Sequence, residues 1–305
     1  MNINNIHDKY MKTILGNLSL AKEFLASFLP AHVKKYIDLD TLKYSETDFV
    51  LPDLKEVFSD IVFSVSRKNN KEAYISIILE HKSQPDDFTA VQVLLYVAYG
   101  YYKQYRSKRS LNPILPFVFY HGKQQWIFKP IEELFDELPE ELKPYIPKFK
   151  ALFVDLAQFS DEQLNELGDS LLTAVLLLGK YIFRSEELRS KIKLIFEKLN
   201  EASNSPQRNL IRPSIVYVLR NIEVNFVLEI IEDLPPTIKT DIMTAYDALI
   251  EKGMQKGMQK GKEEVLSKTV TNLHKKQFDI AQIADILEIS KKRVREILKK
   301  AGIDI

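Results

Sequence analysis

The chain contains no cysteine. That excludes a disulfide framework, a thiolate metal site and a thiol nucleophile. It also lacks a long apolar run. The most apolar segment, Leu171 to Gly179, is too short to cross a bilayer, which takes about 20 residues. The first ten residues, M-N-I-N-N-I-H-D-K-Y, are polar and lack the apolar core of a signal peptide. A soluble, cytoplasmic protein without a membrane partner is the expectation. Net charge is nearly absent too, at +1, but the balance is uneven. From Gly253 onward there are 12 Lys/Arg against 7 Asp/Glu, whereas the preceding residues carry 31 against 35. A basic tail on a slightly acidic body points to an anionic partner for the tail, although a solvated helical surface has the same composition.

What is present is ample for a folded core: 305 residues, 45% hydrophobic and 28% charged, a length that suggests more than one domain. Asp8 to Leu29 has apolar positions at helical spacing and predicts one helix, stopped by Pro30. Asp40 to Leu54 reads as irregular. Phe58 to Ser66 alternates as a strand does, Arg67 to Lys71 is a polar turn, and Ala73 to Lys82 is a second strand, so the two predict a hairpin. Asp86 to Arg106 is helical and rich in tyrosine. Pro113 to Tyr120 and Ala151 to Leu156 predict two more strands, and Asp161 to Lys252 reads as helices with breaks near Asn204–Pro206 and Pro235–Pro236. This order predicts a mixed α/β core followed by a helical part.

Residues 253–264, G-M-Q-K-G-M-Q-K-G-K-E-E, repeat every four residues. Their glycines share one face if helical, and glycine weakens a helix, so a flexible linker and a helical arm are both open. In Phe278 to Ala301 a helix from Ile280 to Leu287, a turn with Ser290 as N-cap, and a basic helix from Lys291 to Lys300 fit a helix-turn-helix. An ordinary helical hairpin used for dimerisation fits as well. The expected division is 1–160 for the core, 161–252 for the helical region, 253–275 for the repeat segment and 276–305 for the tail.

The chemistry gathers at one strand end. In Y-I-S-I-I-L-E-H-K-S-Q-P, an apolar run from Tyr74 ends in Glu80, His81 and Lys82. Alternate strand residues share a face, so Glu80 and Lys82 point one way and His81 the other. Asp60 interrupts the neighbouring apolar strand, and a hairpin closed by the polar turn brings it near Glu80. Two converging carboxylates suit a hard divalent ion such as Mg²⁺, with Mn²⁺ as an alternative. The ion would polarise a phosphoryl oxygen and acidify a water, while Lys82 stabilises charge building on phosphorus. Gln92 and Tyr96 stand four apart on one face of the following helix. An E-x-K triplet also occurs by chance as a surface pair of little energetic value; the placement of Asp60 and Glu80 at both hairpin breaks is what favours a site.

The segments S-D-I-V-F, L-E-H-K-S-Q-P-D and Q-V-L-L-Y resemble the PD-(D/E)xK nuclease superfamily. With H-D-K-Y-M-K-T-I-L-G-N, A-K-E-F-L-A-S-F-L-P and P-F-V-F-Y-H-G-K-Q-Q-W, they are most similar to the recombination-promoting nuclease group, also labelled putative transposase or YhgA-like. The resemblance covers residues 5–160 closely. It implies a restriction-endonuclease-like mixed sheet flanked by helices, and a Mg²⁺-dependent DNA endonuclease that promotes recombination, acting on no small-molecule substrate. Asp60 and Glu80 would be the metal ligands, Lys82 the catalytic lysine, and Gln92 and Tyr96 the supporting Q-x-x-x-Y element. Many members carry glutamine in place of Lys82 and arginine in place of Gln92. Enzymes of the superfamily often cut as dimers, so a homodimer is expected. Asp155 and Asp8 are further candidates that spacing does not require, and His81 is expected to pack on the far face. The alternative is a non-catalytic DNA-binding protein acting through Lys291, Lys292, Arg293 and Arg295.

Overall fold

A computed structural model describes the backbone of residues 4–45, 61–68, 70–108 and 110–303, and side chains there except at positions 4, 5, 8 and 70–80. The chain opens with α1 (Asn4–Leu15), α2 (Leu18–Phe28) and the short α3 (Ala31–Lys34). The single helix expected from Asp8 to Leu29 is therefore two. Gly16 closes the first on the carbonyl of Lys12, and Asn17 turns extended and accepts a hydrogen bond from Leu20 N at 3.1 Å, an N-cap embedded in an otherwise periodic apolar stretch.

Five strands form one sheet in the order β1 (Ile37–Tyr44), β2 (Ile61–Arg67), β3 (Asn70–Lys82), β4 (Ile114–Tyr120) and β5 (Leu152–Asp155). The pairs β1/β2 and β2/β3 are antiparallel, and β3/β4 and β4/β5 are parallel. The expected hairpin is thus present, with Ile61 opposite Leu79 and Val65 opposite Ile75. Phe58 to Asp60, the start of the expected strand, lie outside the described residues. The stretch Asp40–Tyr44 was expected to be irregular, yet it is strand. A register shift between Asp38 and Lys43 breaks its alternation, and Thr41 Oγ1 substitutes for backbone by accepting from Ser66 N at 2.8 Å.

Helix α4 (Thr89–Arg106) links β3 to the parallel β4 as a crossover and covers one face of the sheet. Its Val93 packs with Val118, Tyr120 and Trp126, and its Tyr96 with Ile114 and Val62. On the other face the ring of Phe24 from α2 lies 5.6 Å from Phe117 and 5.0 Å from Phe119. After β5 come α5 (Asp161–Asn165), α6 (Ser170–Tyr181), α7 (Ser185–Glu201), α8 (Ile211–Asn221) and α9 (Val224–Ile230), then the 40-residue α10 (Pro236–Lys275). The nine consecutive buried residues of α6, Leu171 to Gly179, mark it as a helix enclosed on every side.

The chain divides into two compact units, Met1–Ile242 and Met243–Ile305. In the second, α11 (Ile280–Ile286) and α12 (Lys291–Lys300) pack with the end of α10 around Val270, Ile283, Val294, Ile297 and Leu298. Ser290 accepts from Arg293 N at 3.1 Å as the N-cap of α12. The glycine repeat of residues 253–264 is continuous helix within α10. No helix among the described residues is long and apolar enough to cross a membrane.

Candidate active site

The carboxyl ends of β3, β4 and β5 are level, because Lys82 pairs with Tyr120 and Tyr120 with Asp155. This edge is where parallel α/β sheets present functional groups. Pairing also puts Lys82 on the face covered by α4. Its ammonium donates to Gln92 Oε1 at 2.7 Å and to Asp86 Oδ2 at 3.0 Å, and Gln92 Nε2 donates to the Tyr96 hydroxyl at 3.0 Å. The structure therefore brings Lys82, Gln92 and Tyr96 into one hydrogen-bonded chain. The side chain of Lys82 is 16% exposed and that of Asp86 42%, while Tyr96 is buried, so the lysine is partly buried at the sheet edge and the ion pair remains in reach of solvent.

Asp86 was not singled out as a site residue by sequence. It sits in the turn before α4, where Oδ1 accepts from Phe88 N at 3.0 Å and its carbonyl accepts from Thr89 Oγ1 at 2.7 Å. Partial burial raises its carboxyl, but the Lys82 ammonium and the Phe88 amide outweigh that and hold its pKa below the ordinary value. The available signal was its spacing: four residues after Lys82 and just before a helix start.

His81 points to the opposite face, as alternation requires. Its Nε2 meets Nε2 of His121, whose Nδ1 lies 3.3 Å from the carbonyl of Gly179 on α6. Burial first, then the neighbouring His81, press the pKa of His121 well below the usual histidine value, so it is neutral at physiological pH. Of the other candidates, Asp60 and the side chains of Glu80 and Asp8 lie outside what is described. Ile61, next to Asp60, pairs with Leu79, next to Glu80. Asp155 is buried and accepts from Ala157 N at 3.0 Å, capping the 3-10 turn Leu156–Gln158. Among the described residues, no cluster of three or more His, Asp or Glu is placed to hold a metal.

In the tail, Lys291, Lys292 and Arg295 are exposed on α12, whereas Arg293 is engaged by Glu263 and by Glu296 at 3.3 Å. Arg293 is thus tied to α10 and to its own helix, unlike its three basic neighbours.

The family described as "Putative transposase, YhgA-like" matches residues 5–209. The chain is 27% identical over 207 residues to the recombination-promoting nuclease RpnD of Escherichia coli O157:H7, covering 66% of this chain and 77% of that one. It is 31% identical over 117 residues to the recombination-promoting nuclease RpnA of Escherichia coli strain K12, covering 38% of this chain and 40% of RpnA. A third relative, from the same strain, is the inactive recombination-promoting nuclease-like protein RpnE, 28% identical over 118 residues, or 38% of this chain and 39% of that protein. No solved structure matches the chain significantly.

Proposed function

Because the chain belongs to the YhgA-like putative transposase family, whose relatives include proteins named as recombination-promoting nucleases, we propose that it is a Mg²⁺-dependent DNA endonuclease. The observation that carries this reading is the partly buried Lys82 ammonium at the carboxyl end of β3, held by Gln92 and Asp86. Asp60 and Glu80 would hold the metal. Two carboxylates are a hard-oxygen donor set of the kind Mg²⁺ prefers, and Mn²⁺ is the alternative ion. When bound, such an ion polarises a phosphoryl oxygen and makes a water acidic enough to attack at neutral pH.

The chain's own groups do the rest. Lys82 donates to Asp86 and Gln92. Held in that geometry, the ammonium faces the charge that accumulates on the scissile phosphate without reorganising at the moment of reaction. Gln92 sets the lysine, and the Tyr96 hydroxyl sets Gln92.

The test is nicking and linearisation of supercoiled plasmid in Mg²⁺, in Mn²⁺ and in chelator, with wild type, Asp60→Ala and Lys82→Ala. Cutting that needs the metal and falls at least about 100-fold in both variants is the expected outcome. Equal cutting by all three, or none by the wild type, would sink the reading. A second reading is favoured by the exposed Lys291, Lys292 and Arg295 and by the existence of a relative named inactive: a non-catalytic DNA-binding protein acting through α12. It expects DNA binding that is indifferent to Lys82.

A further inference from the structure

The face of α4 turned away from the sheet carries Phe88, Val91, Leu95, Ala98, Tyr102 and Tyr105. Their spacing is three, four, three, four, three, the heptad rhythm of a helix that packs along another helix. These residues do not face this chain's core. Thr89, Ala90, Val93, Tyr96 and Gly100 take the buried side, while Phe88 is 71% exposed, Val91 46%, Leu95 38%, Tyr102 52% and Tyr105 72%, and Ala98 is exposed as well. A continuous apolar stripe along 18 residues, about 27 Å at the usual rise, is not the scattered exposure that ordinary surfaces show.

We propose that this stripe pairs with its own copy in a second chain, antiparallel, about a two-fold axis level with Tyr96 and Val97. Charge sets the direction. Asp87 stands at the amino end of the stripe, while Arg106 and Lys108 stand at its carboxyl end, and α4 itself contains no acidic residue. Antiparallel packing sets the acid of each copy near the bases of the other and opposes the two helix dipoles. Parallel packing would set like against like.

Shape agrees with charge. In the symmetric register Phe88 meets Tyr105, Val91 meets Tyr102 and Leu95 meets Ala98. The small Ala98 lets the helices approach at the centre. At the ends, a recess lined by Tyr101, Tyr102, Tyr105, Lys108 and Leu111 lies where Phe88 of the second copy arrives. With three aromatics a side, the pair covers about 1,000 Å², the lower bound of specific interfaces, so the dimer is reversible rather than permanent. The inference is independent of the nuclease reading.

Light scattering and sedimentation of the full chain across micromolar concentrations test it. A dimer is expected, and Leu95→Lys, an exposed change checked by circular dichroism, should weaken it at least 10-fold. Asp87→Lys alone and Arg106→Glu with Lys108→Glu should each weaken it, and the three together should restore it, since every copy then carries the swapped pair. A monomeric wild type overturns the proposal, as does a dimer that all these changes leave intact. A monomer whose affinity for single-stranded DNA falls with Tyr102→Ala and Tyr105→Ala would instead assign the stripe to base stacking.

Discussion

Gly122 shows how one missing side chain holds the candidate site together. A Cβ there would stand 2.2 Å from the Tyr120 hydroxyl and 2.5 Å from the carbonyl of Ser83, both far inside contact distance. Neither neighbour is free to yield. The Tyr120 hydroxyl donates to the carbonyl of Gln124 at 2.6 Å, and Ser83 follows Lys82, whose own carbonyl accepts from His121 N at 3.1 Å. The loop after β4 therefore rests directly on the end of β3, and glycine is what permits the approach. Gly122→Ala is expected to lower stability by about 1–3 kcal/mol, the usual cost of overpacking, and to displace Lys82. Thermal unfolding together with plasmid cutting checks both effects. A variant that melts and cuts like wild type would show that the loop yields without moving the strand.

At the scale of elements, the helical layer is tied by Asp161, the first residue of α5. It accepts from Lys180 Nζ at 2.8 Å and the Tyr181 hydroxyl at 2.5 Å, both on α6, and pairs with Lys191 of α7 at 2.7 Å. Burial raises its pKa, but the two ammonium groups and the hydroxyl win and bring it from 3.8 down to about 2. The folded state thus holds this proton less tightly than the unfolded chain. The resulting stability is complete above pH 3.8 and disappears as pH falls through about 2. Asp161→Asn should cost about 2 kcal/mol at pH 7 and progressively less toward pH 2. Urea unfolding at pH 7, 4 and 2.5 would show the gap closing; a gap independent of pH would mean the carboxylate's charge is not what joins the helices.

Elements of this kind were legible wherever one periodicity ran without interruption. The alternation of β2 and β3, the turn between them and the Ser290 cap of α12 all read directly from spacing. The break between α1 and α2 did not, because Gly16 and Asn17 interrupt a period that resumes on the same face. Nor did β1, where a bulge cancels the alternation. Helix period put Gln92 and Tyr96 on one face, and the resemblance to the Q-x-x-x-Y element is what joined them to Lys82. Asp86 joins them only through the turn that curls back before α4, and the His81–His121 contact is created by the parallel pairing of β3 with β4. For Asp86 the one local signal is its place just before a helix start, and no local pattern carries the histidine contact.

At the scale of the molecule, two units with separate cores make the tail removable. The second unit's apolar residues, Val270 and Ile283 among them, pack with one another, and residues 250–265 of α10 are all exposed. A chain ending at Lys252 keeps the whole of the first unit, Met1–Ile242. It should melt within about 0.5 kcal/mol of the full chain, as changes at solvated positions do. What it loses is chemistry, including Lys291, Lys292 and Arg295, the exposed cations of the first turns of α12. If these contact phosphates, the slope of log affinity against log salt should shrink by up to about 3. Unchanged affinity and slope in the short chain would remove α12 from DNA recognition. The same sample separates two sources of self-association. A dimer built on the α4 stripe persists after truncation, whereas a dimer built on the tail hairpin falls apart, so light scattering on the short chain assigns the contact to one unit or the other.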